Sequence, residues 1–377
     1  MTALTQDLSA LVAMPSVSSR PVLDIAAWLA DRLEDAGMRI ERCVSEHDPG
    51  KLSLIATAGP AGTNGLCLSG HMDVVPVDGQ PWTTDPFQLT EREGRLIGRG
   101  SADMKGFLAA VLHAVRGVPL QKLQRELVLV LTDDEEVGCH GSARVADTLL
   151  AEGRRLPDAC LIGEPTGFQA MRMHPGHVTV HIDVHGLAAH SSRPDLGANA
   201  IEGAMEIVRI AQQLARELQG EPTDLPLDRP WVTLNTGCVR GGHAVNIVPD
   251  HCGLELGYRP LPGTDPLAVF RTLTQRITRA IGPAGWSAHT HVTAVVPPLL
   301  SPEHHPLRAL LDPHRRGPAE AASFATDGGN LAKAGAEPVI FGPGRIEVAH
   351  KADEWIDPTE LHDTVPILTA LIHARCG

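Results

Sequence analysis

Four short apolar runs, Leu52 to Ala56, Gly65 to Ser69, Leu127 to Leu131 and Ala159 to Ile162, constrain this chain more than any other feature. None alternates polar with apolar residues, so each predicts a strand covered on both faces, as in a parallel or mixed sheet sandwiched between helices. Helical periodicity over Leu4 to Met14, Val22 to Ala36 and Met104 to Val115 supplies the covering helices. Near Gly176 the rhythm changes. The stretch from His177 to His185 alternates strictly, which predicts a strand with one covered and one wetter face. It is followed by a helix (Ala198 to Leu218), strands near Thr233 to Cys238 and Cys252 to Tyr258, a helix (Pro266 to Ile281) and a strand around His289 to Val295. The order β-α-β-β-α-β predicts a ferredoxin-like α+β sandwich. Pro297, Pro298 and Pro302 mark the return to the first fold. The expectation is a two-domain α/β protein, with a catalytic domain formed by residues 1–175 and 297–377 and an inserted lid or dimerisation domain at 176–296.

A length of 377 residues exceeds the usual size of a single core. The net charge of −13 comes without a basic run, which argues against nucleic acid and against an anionic membrane surface as partners. A small solute fits better. The start, from Met1 to Leu8, has no basic segment and no continuous apolar segment, and no later stretch has the length of a membrane span, so a cytoplasmic protein is expected. The seven cysteines are scattered and never spaced as C-x-x-C, so free thiols are expected rather than a disulfide framework or a thiolate zinc site.

In such a sheet, ligands bind outside the carboxyl ends of the strands, and five polar clusters fall at places of that kind. Gly65 to Ser69 runs into Gly70-His71-Met72-Asp73, where Asp73 is spaced to orient the His71 ring. Gly98-Arg99-Gly100-Ser101-Ala102-Asp103 delivers a carboxylate immediately before an apolar helix, a position equally suited to a helix cap. Asp133-Asp134-Glu135-Glu136 follows the strand ending at Leu131, and four adjacent carboxylates repel one another unless cations or solvent neutralise them. Glu164 follows the strand ending at Ile162, and His350 lies near the C-terminus. Each cluster alone also fits a bland role. Together, two histidines and several carboxylates on strand-end loops form an N/O ligand set suited to a pair of zinc-like ions, with cobalt or manganese as alternatives.

The motifs from Ser69 to Pro76, from Gly98 to Gly106 and from Asp134 to Gly138 resemble the co-catalytic zinc family that contains acetylornithine deacetylase, succinyl-diaminopimelate desuccinylase, carboxypeptidase G and the aminoacylases. The resemblance spans essentially the whole chain. It implies that Asp103 bridges two metals, one also held by His71 and Glu164 and the other by Glu136 and His350. It further implies that Glu135 is the general base, that Asp73 steadies His71 and that the peptide after Asp103 is cis. The segment from Gly186 to Pro194 resembles the family's lid histidine segment, so His190 would stabilise the oxyanion in the partner's active site of a homodimer. Asn246 and Arg259 match positions that hold the substrate carboxylate. The ending, Gly342-Pro343-Gly344 with Ala349 to Glu354, most resembles the acetylornithine deacetylases, which implies N2-acetyl-L-ornithine as substrate. The sequence departs from the pattern at Thr326-Asp327-Gly328-Gly329, where glutamate and alanine are expected after the threonine. Thr326 and Asp327 are taken as substrate-binding, with Asp327 facing the amine of ornithine.

The implied reaction is metal-dependent hydrolysis of an N-acyl amino acid. A succinyl-diaminopimelate desuccinylase or a dipeptidase would share the metals and differ in the pocket. A non-catalytic relative would have lost a ligand or the base, and none is lost. His177, His181 and His185 recur every four residues, so on a strand each stands about 13 Å from the next and they cannot share one ion. Structural or solvent roles are expected for them, as for His113, His304 and His305.

Overall fold

A computed structural model describes residues 2–281 and 285–377; residues 1 and 282–284, the latter inside the expected insert, lie outside the described residues. The chain divides into two compact units. The first comprises the residues up to Met173 with Leu300–Ala322 and Thr326–Gly377, and the second comprises His174–Leu299 with Ser323–Ala325.

The first unit is built on a six-stranded sheet in the order Arg39–Val44, Leu52–Ala58, Leu127–Thr132, Leu66–His71, Ala159–Ile162, Glu337–Ile340. The last four strands in that order run parallel, and the first two are antiparallel additions at one edge. Leu54, Leu66, Leu68, Leu129 and Leu161 turn to one face, which the helices Ala3–Val12, Leu23–Asp35, Gly106–Arg116 and Pro358–Cys376 cover. Ile55, Cys67, Val128, Val130 and Ile162 turn to the other, under His140–Ala151 and Gly328–Lys333. Both sets are apolar, which is why the sequence showed no alternation in these strands.

The parallel strands ending at His71, Thr132 and Ile162 lie side by side, so the segments that follow them emerge at one edge of the sheet. The fourth contributor, Asp103, comes from the irregular turn Ser101–Lys105 at the head of helix Gly106–Arg116, and its peptide bond to Met104 is cis. Close approach of that helix to the sheet requires glycine. A Cβ on Gly163, immediately before Glu164, would lie 2.1 Å from Cγ of Phe107.

In the second unit, four antiparallel strands adopt the order Thr233–Gly241, His251–Arg259, His177–His185, Ser287–Val296. In chain order this is 2-3-1-4, the arrangement of a ferredoxin-like sandwich. Val178, Val180, Ile182 and Val184 face helices Ala200–Gln219 and Ala268–Ile281. The longer helix is capped by Asn199, whose side-chain oxygen accepts from the Ile201 backbone N–H at 2.9 Å.

Gly163→Val is expected to lower stability by about 1–3 kcal/mol through overpacking against Phe107, read as a fall in the urea midpoint. An unchanged midpoint would contradict this packing.

Candidate metal centre

Two groups of potential ligands share one residue in the first unit. His71, Asp103 and Glu164 form one group, Asp103, Glu136 and His350 the other, and within each the ligand atoms lie within 4.8 Å of one another. The two oxygens of Asp103 divide between them: Oδ1 lies 2.9 Å from His71 Nε2, and Oδ2 lies 3.3 Å from His350 Nε2. Glu164 Oε1 stands 4.0 Å from His71 Nε2, and Glu136 Oε2 stands 2.9 Å from His350 Nε2. His71, Asp103 and Glu164 are buried, whereas His350 is half exposed.

Asp73 serves both sides of this cluster. Its backbone carbonyl is 2.9 Å from His71 Nδ1, which fixes Nδ1 as the N–H donor and turns Nε2 toward Asp103. Its carboxylate is 3.7 Å from the ring and is engaged elsewhere. There it accepts from Ser18 Oγ at 2.7 Å and from the backbone N–H groups of Glu135 and Glu136 at 3.2 and 3.4 Å. The imidazole is thus oriented by main chain, and the carboxylate orients the Glu135–Glu136 loop.

The run of four acids is resolved by pairing. Asp133 accepts from Ser53 Oγ at 2.6 Å and pairs with Arg144, while Asp134 pairs with Lys51. That leaves Glu135 and Glu136 for the site. Glu135 is in neither ligand group, and Cys139 Sγ donates to its Oε1 at 3.6 Å.

The electrostatics follow from several acids gathered where water is scarce. Burial raises the pKa of Glu135 well above the usual carboxylate range, and the charge of Glu164 adds to it. Burial and then Asp103 do the same to Glu164, and to Glu136 in the same direction. For His71, burial pulls the pKa down, but the hydrogen bond and charge of Asp103, with Glu164 and Glu135, outweigh it and leave it well above its ordinary value. His350 is pushed up to about 10 by its hydrogen bonds to Asp103 and then Glu136. Burial alone would raise Asp103, yet its hydrogen bonds to His350 and His71 hold it below the usual range. The cluster therefore demands positive charge. Each group offers one imidazole nitrogen and carboxylate oxygens, a donor set that fits a divalent ion of the zinc type.

A cradle beneath Asp103, made by Glu354 and Arg99, was not assigned from sequence, although both lie in motifs that stood out there. Glu354 is 1% exposed and accepts at 3.0 Å from the backbone N–H groups of Gly100, Ala102 and Asp103. It pairs with the equally buried Arg99 at 2.6 Å. Arg99 continues to Gln80 Oε1 at 2.6 Å, and Gln80 donates to the backbone carbonyl of His350 at 2.9 Å. One chain of hydrogen bonds thus holds the Asp103 turn and the His350 loop. The sequence shows only an acid shortly after His350 and an arginine between two glycines before Asp103, and not that the two side chains meet.

The remaining expected site residues fall as follows. Thr326 and Asp327 are buried in the first unit. Thr326 Oγ1 accepts from the Gly328 N–H at 3.0 Å, and Asp327 Oδ2 accepts from Thr132 Oγ1 at 2.6 Å, at the end of the strand that leads to Glu135. His190, Asn246 and Arg259 belong to the second unit. His190 pairs with Ile247 in a two-stranded ladder, and the Ser191 N–H donates to the Asn246 carbonyl at 3.1 Å, which brings His190 and Asn246 together. Arg259 ends the strand His251–Arg259, on the sheet face opposite the helices.

The profile of peptidase family M20/M25/M40 matches residues 67–374. Acetylornithine deacetylase of Edwardsiella ictaluri is 35% identical over 378 residues, which cover 97% of this chain and 96% of that protein. Among solved structures, an M20 family metallo-carboxypeptidase from Sulfolobus solfataricus is similar with a TM-score of 0.77 over 99% of both chains, at 18% identity. Aminopeptidase PepT from Bacillus cereus is similar with a TM-score of 0.74 over 98% of this chain and 97% of that one, at 21% identity. At such identities the solved structures share the fold.

Glu354→Gln removes the charge opposite buried Arg99 and is expected to lower stability by about 3–5 kcal/mol and to loosen metal retention. Urea unfolding and elemental analysis of the purified variant read both; wild-type values would contradict the cradle.

Proposed function

The chain belongs to peptidase family M20/M25/M40, a family of metal-dependent hydrolases, and on that premise we propose that it removes the N-acyl group of a small amino acid, with N2-acetyl-L-ornithine as the substrate. The observation that carries this reading is Asp103, whose two oxygens face two separate histidine and carboxylate groups beside a glutamate that belongs to neither. His71 and Glu164 would hold one ion, Glu136 and His350 the other, with Asp103 between them. When bound, a pair of zinc, cobalt or manganese ions supplies Lewis acidity toward the acyl carbonyl and toward the attacking water.

The protein's own groups then divide the work. Glu135 takes the proton from the attacking water and hands it to the departing amine, a general base that becomes a general acid. Its burial, which raises its pKa, suits a group that must hold that proton between the two steps. Asp73 keeps His71 and the Glu135 backbone in register. His190 stabilises the charge that develops on the carbonyl oxygen. Its Nδ1 accepts from the Ser192 N–H at 3.1 Å, which leaves Nε2–H as the free donor. Asn246 and Arg259 bind the substrate carboxylate, and Thr326 and Asp327 shape the side-chain end of the pocket, where Asp327 meets the amine.

The acetyl-ornithine assignment rests on the 35% identical relative and on the motifs around Gly342 and His350. It makes the reaction a step of arginine biosynthesis, which we assign to the cytoplasm. The second unit supports a homodimer, because Leu187, Leu196, Met205, Val245 and Ile247 are exposed on it. A dipeptidase, which would use the same ligand groups with a different pocket, is the second reading.

A hydrolysis panel on the zinc- and cobalt-loaded protein decides between these readings: acetylornithine is expected to be turned over faster than acetylcitrulline, acetylmethionine, succinyl-diaminopimelate and simple dipeptides. Preference for a dipeptide or the succinyl compound would overturn the assignment. Asp327→Ala is expected to erase the preference for ornithine over neutral side chains. Glu135→Ala is expected to keep its metal and lose about 10²–10⁴-fold in turnover. His190→Ala is expected to lower kcat by about 10²–10³-fold with metal content unchanged. Mixing the two inactive variants is expected to restore activity if His190 acts across the dimer, and no recovery would refute that arrangement.

A further inference from the structure

Asp133 and Asp134 are paired with cations and Glu136 belongs to a ligand group, so of the four adjacent acids Glu135 alone has neither kind of anchor among the described residues. A carboxylate that must meet a water molecule in one orientation has to be aimed by something else. The turn that follows it supplies the means. The backbone N–H groups of Gly138 and Cys139 donate to the Glu135 carbonyl at 3.1 and 3.0 Å, which folds residue 139 back onto residue 135. The Cys139 thiol then stands 3.6 Å from Glu135 Oε1 and 3.7 Å from the Glu135 carbonyl oxygen. A thiol is a weak donor, but a carboxylate is a charged acceptor, which strengthens the bond. Burial, and then the charge of Glu135, push the thiol pKa well above its ordinary value, so the sulfur keeps its proton.

Two further observations set this contact apart from an incidental one. Cys139 has φ 55° and ψ 37°, in the left-handed region that disfavours any residue with a Cβ, and it is buried. Glycine would relax there, as Gly138 does at φ 132°, so a side chain is kept at residue 139 against the preference of its backbone. The second observation is a grip on the Cys139 carbonyl from outside the turn. Asn330, fully buried on helix Gly328–Lys333, donates from Nδ2 to that carbonyl at 3.2 Å and to Ser142 Oγ at 3.1 Å, and Ser142 Oγ donates to the same carbonyl at 3.0 Å. Glu135, Cys139 and Asn330 thus form one line of contacts from the site into the body of the first unit.

We propose that Cys139 is a positioning residue for the hydrolytic base: its thiol holds Oε1 of Glu135 and leaves Oε2 to take the proton of the attacking water, while Asn330 fixes Cys139 in the conformation that allows this. The inference rests on the assignment of Glu135 as the base and adds to it the groups that aim it. The thiol stays protonated throughout, so no bond to sulfur forms and nothing is oxidised. Because the contact orients the base and touches neither the ligand groups nor the substrate, its loss acts on kcat and leaves KM and metal content in place.

The test is steady-state hydrolysis of acetylornithine by the zinc-loaded full chain. Cys139→Ala is expected to lower kcat by about tenfold with KM and zinc content unchanged, and Cys139→Ser, which restores a donor of similar size, is expected to recover most of the loss. Asn330→Ala is expected to lower kcat in the wild-type background and to add nothing in the Cys139→Ala background, because it acts through Cys139. A readout independent of turnover is the S–H stretching band of Cys139, isolated as the infrared difference between wild type and Cys139→Ser, which is expected to shift when the same difference is taken in the Glu135→Ala background. Wild-type kcat in Cys139→Ala, a serine variant as slow as the alanine one, additive effects of Asn330→Ala or an unshifted band would each overturn the proposal. A wild-type chain that hydrolyses no acyl substrate would instead overturn the functional reading, and the infrared band would still report whether the thiol meets Glu135.

Discussion

Negative charge packed where solvent cannot screen it is the condition around which the first unit is organised. Asp103, Glu135, Glu136 and Glu164 meet at one edge of the sheet, and burial raises the pKa of the three glutamates. Taking isolated charges out of water is costly, so such a cluster survives folding only with compensating positive charge nearby. The two imidazoles supply part of it, and divalent cations at the two ligand groups would supply the rest.

Much of the surrounding structure can be understood as keeping that charge in place. Asp133 and Asp134 are drawn off by Arg144 and Lys51, which prevents four neighbouring acids from competing for one position. Glu354 and Arg99 form a buried pair whose hydrogen bonds clamp the Asp103 turn from below and reach the His350 loop through Gln80. Phe107 lies against Gly163, so the helix that follows Asp103 and the strand end that carries Glu164 are locked together.

The fold was legible because its signals are local. Unalternating apolar runs marked the covered strands, and the strict alternation from His177 to His185 marked the half-covered one; the bounds of these strands and helices in the structure differ from the expected ones by no more than a few residues. Strand order was not legible, since it depends on pairings between residues far apart. The ligand candidates could be found as polar residues at strand ends, but their division between the two oxygens of Asp103 is a three-dimensional fact. Asp73 illustrates the limit well: its spacing from His71 indicated a partner, yet the carbonyl rather than the carboxylate meets the ring. That Glu354 meets Arg99 was not legible for the same reason, as it depends on a contact between distant segments.

The most direct measurement of the central claim is the metal content of Asp103→Ala against the wild-type chain, by elemental analysis after identical loading. If one aspartate serves both ligand groups, the variant should lose two ions together. A variant that loses one ion, or none, would show that Asp103 does not join the two groups, and the proposed chemistry would lose its foundation.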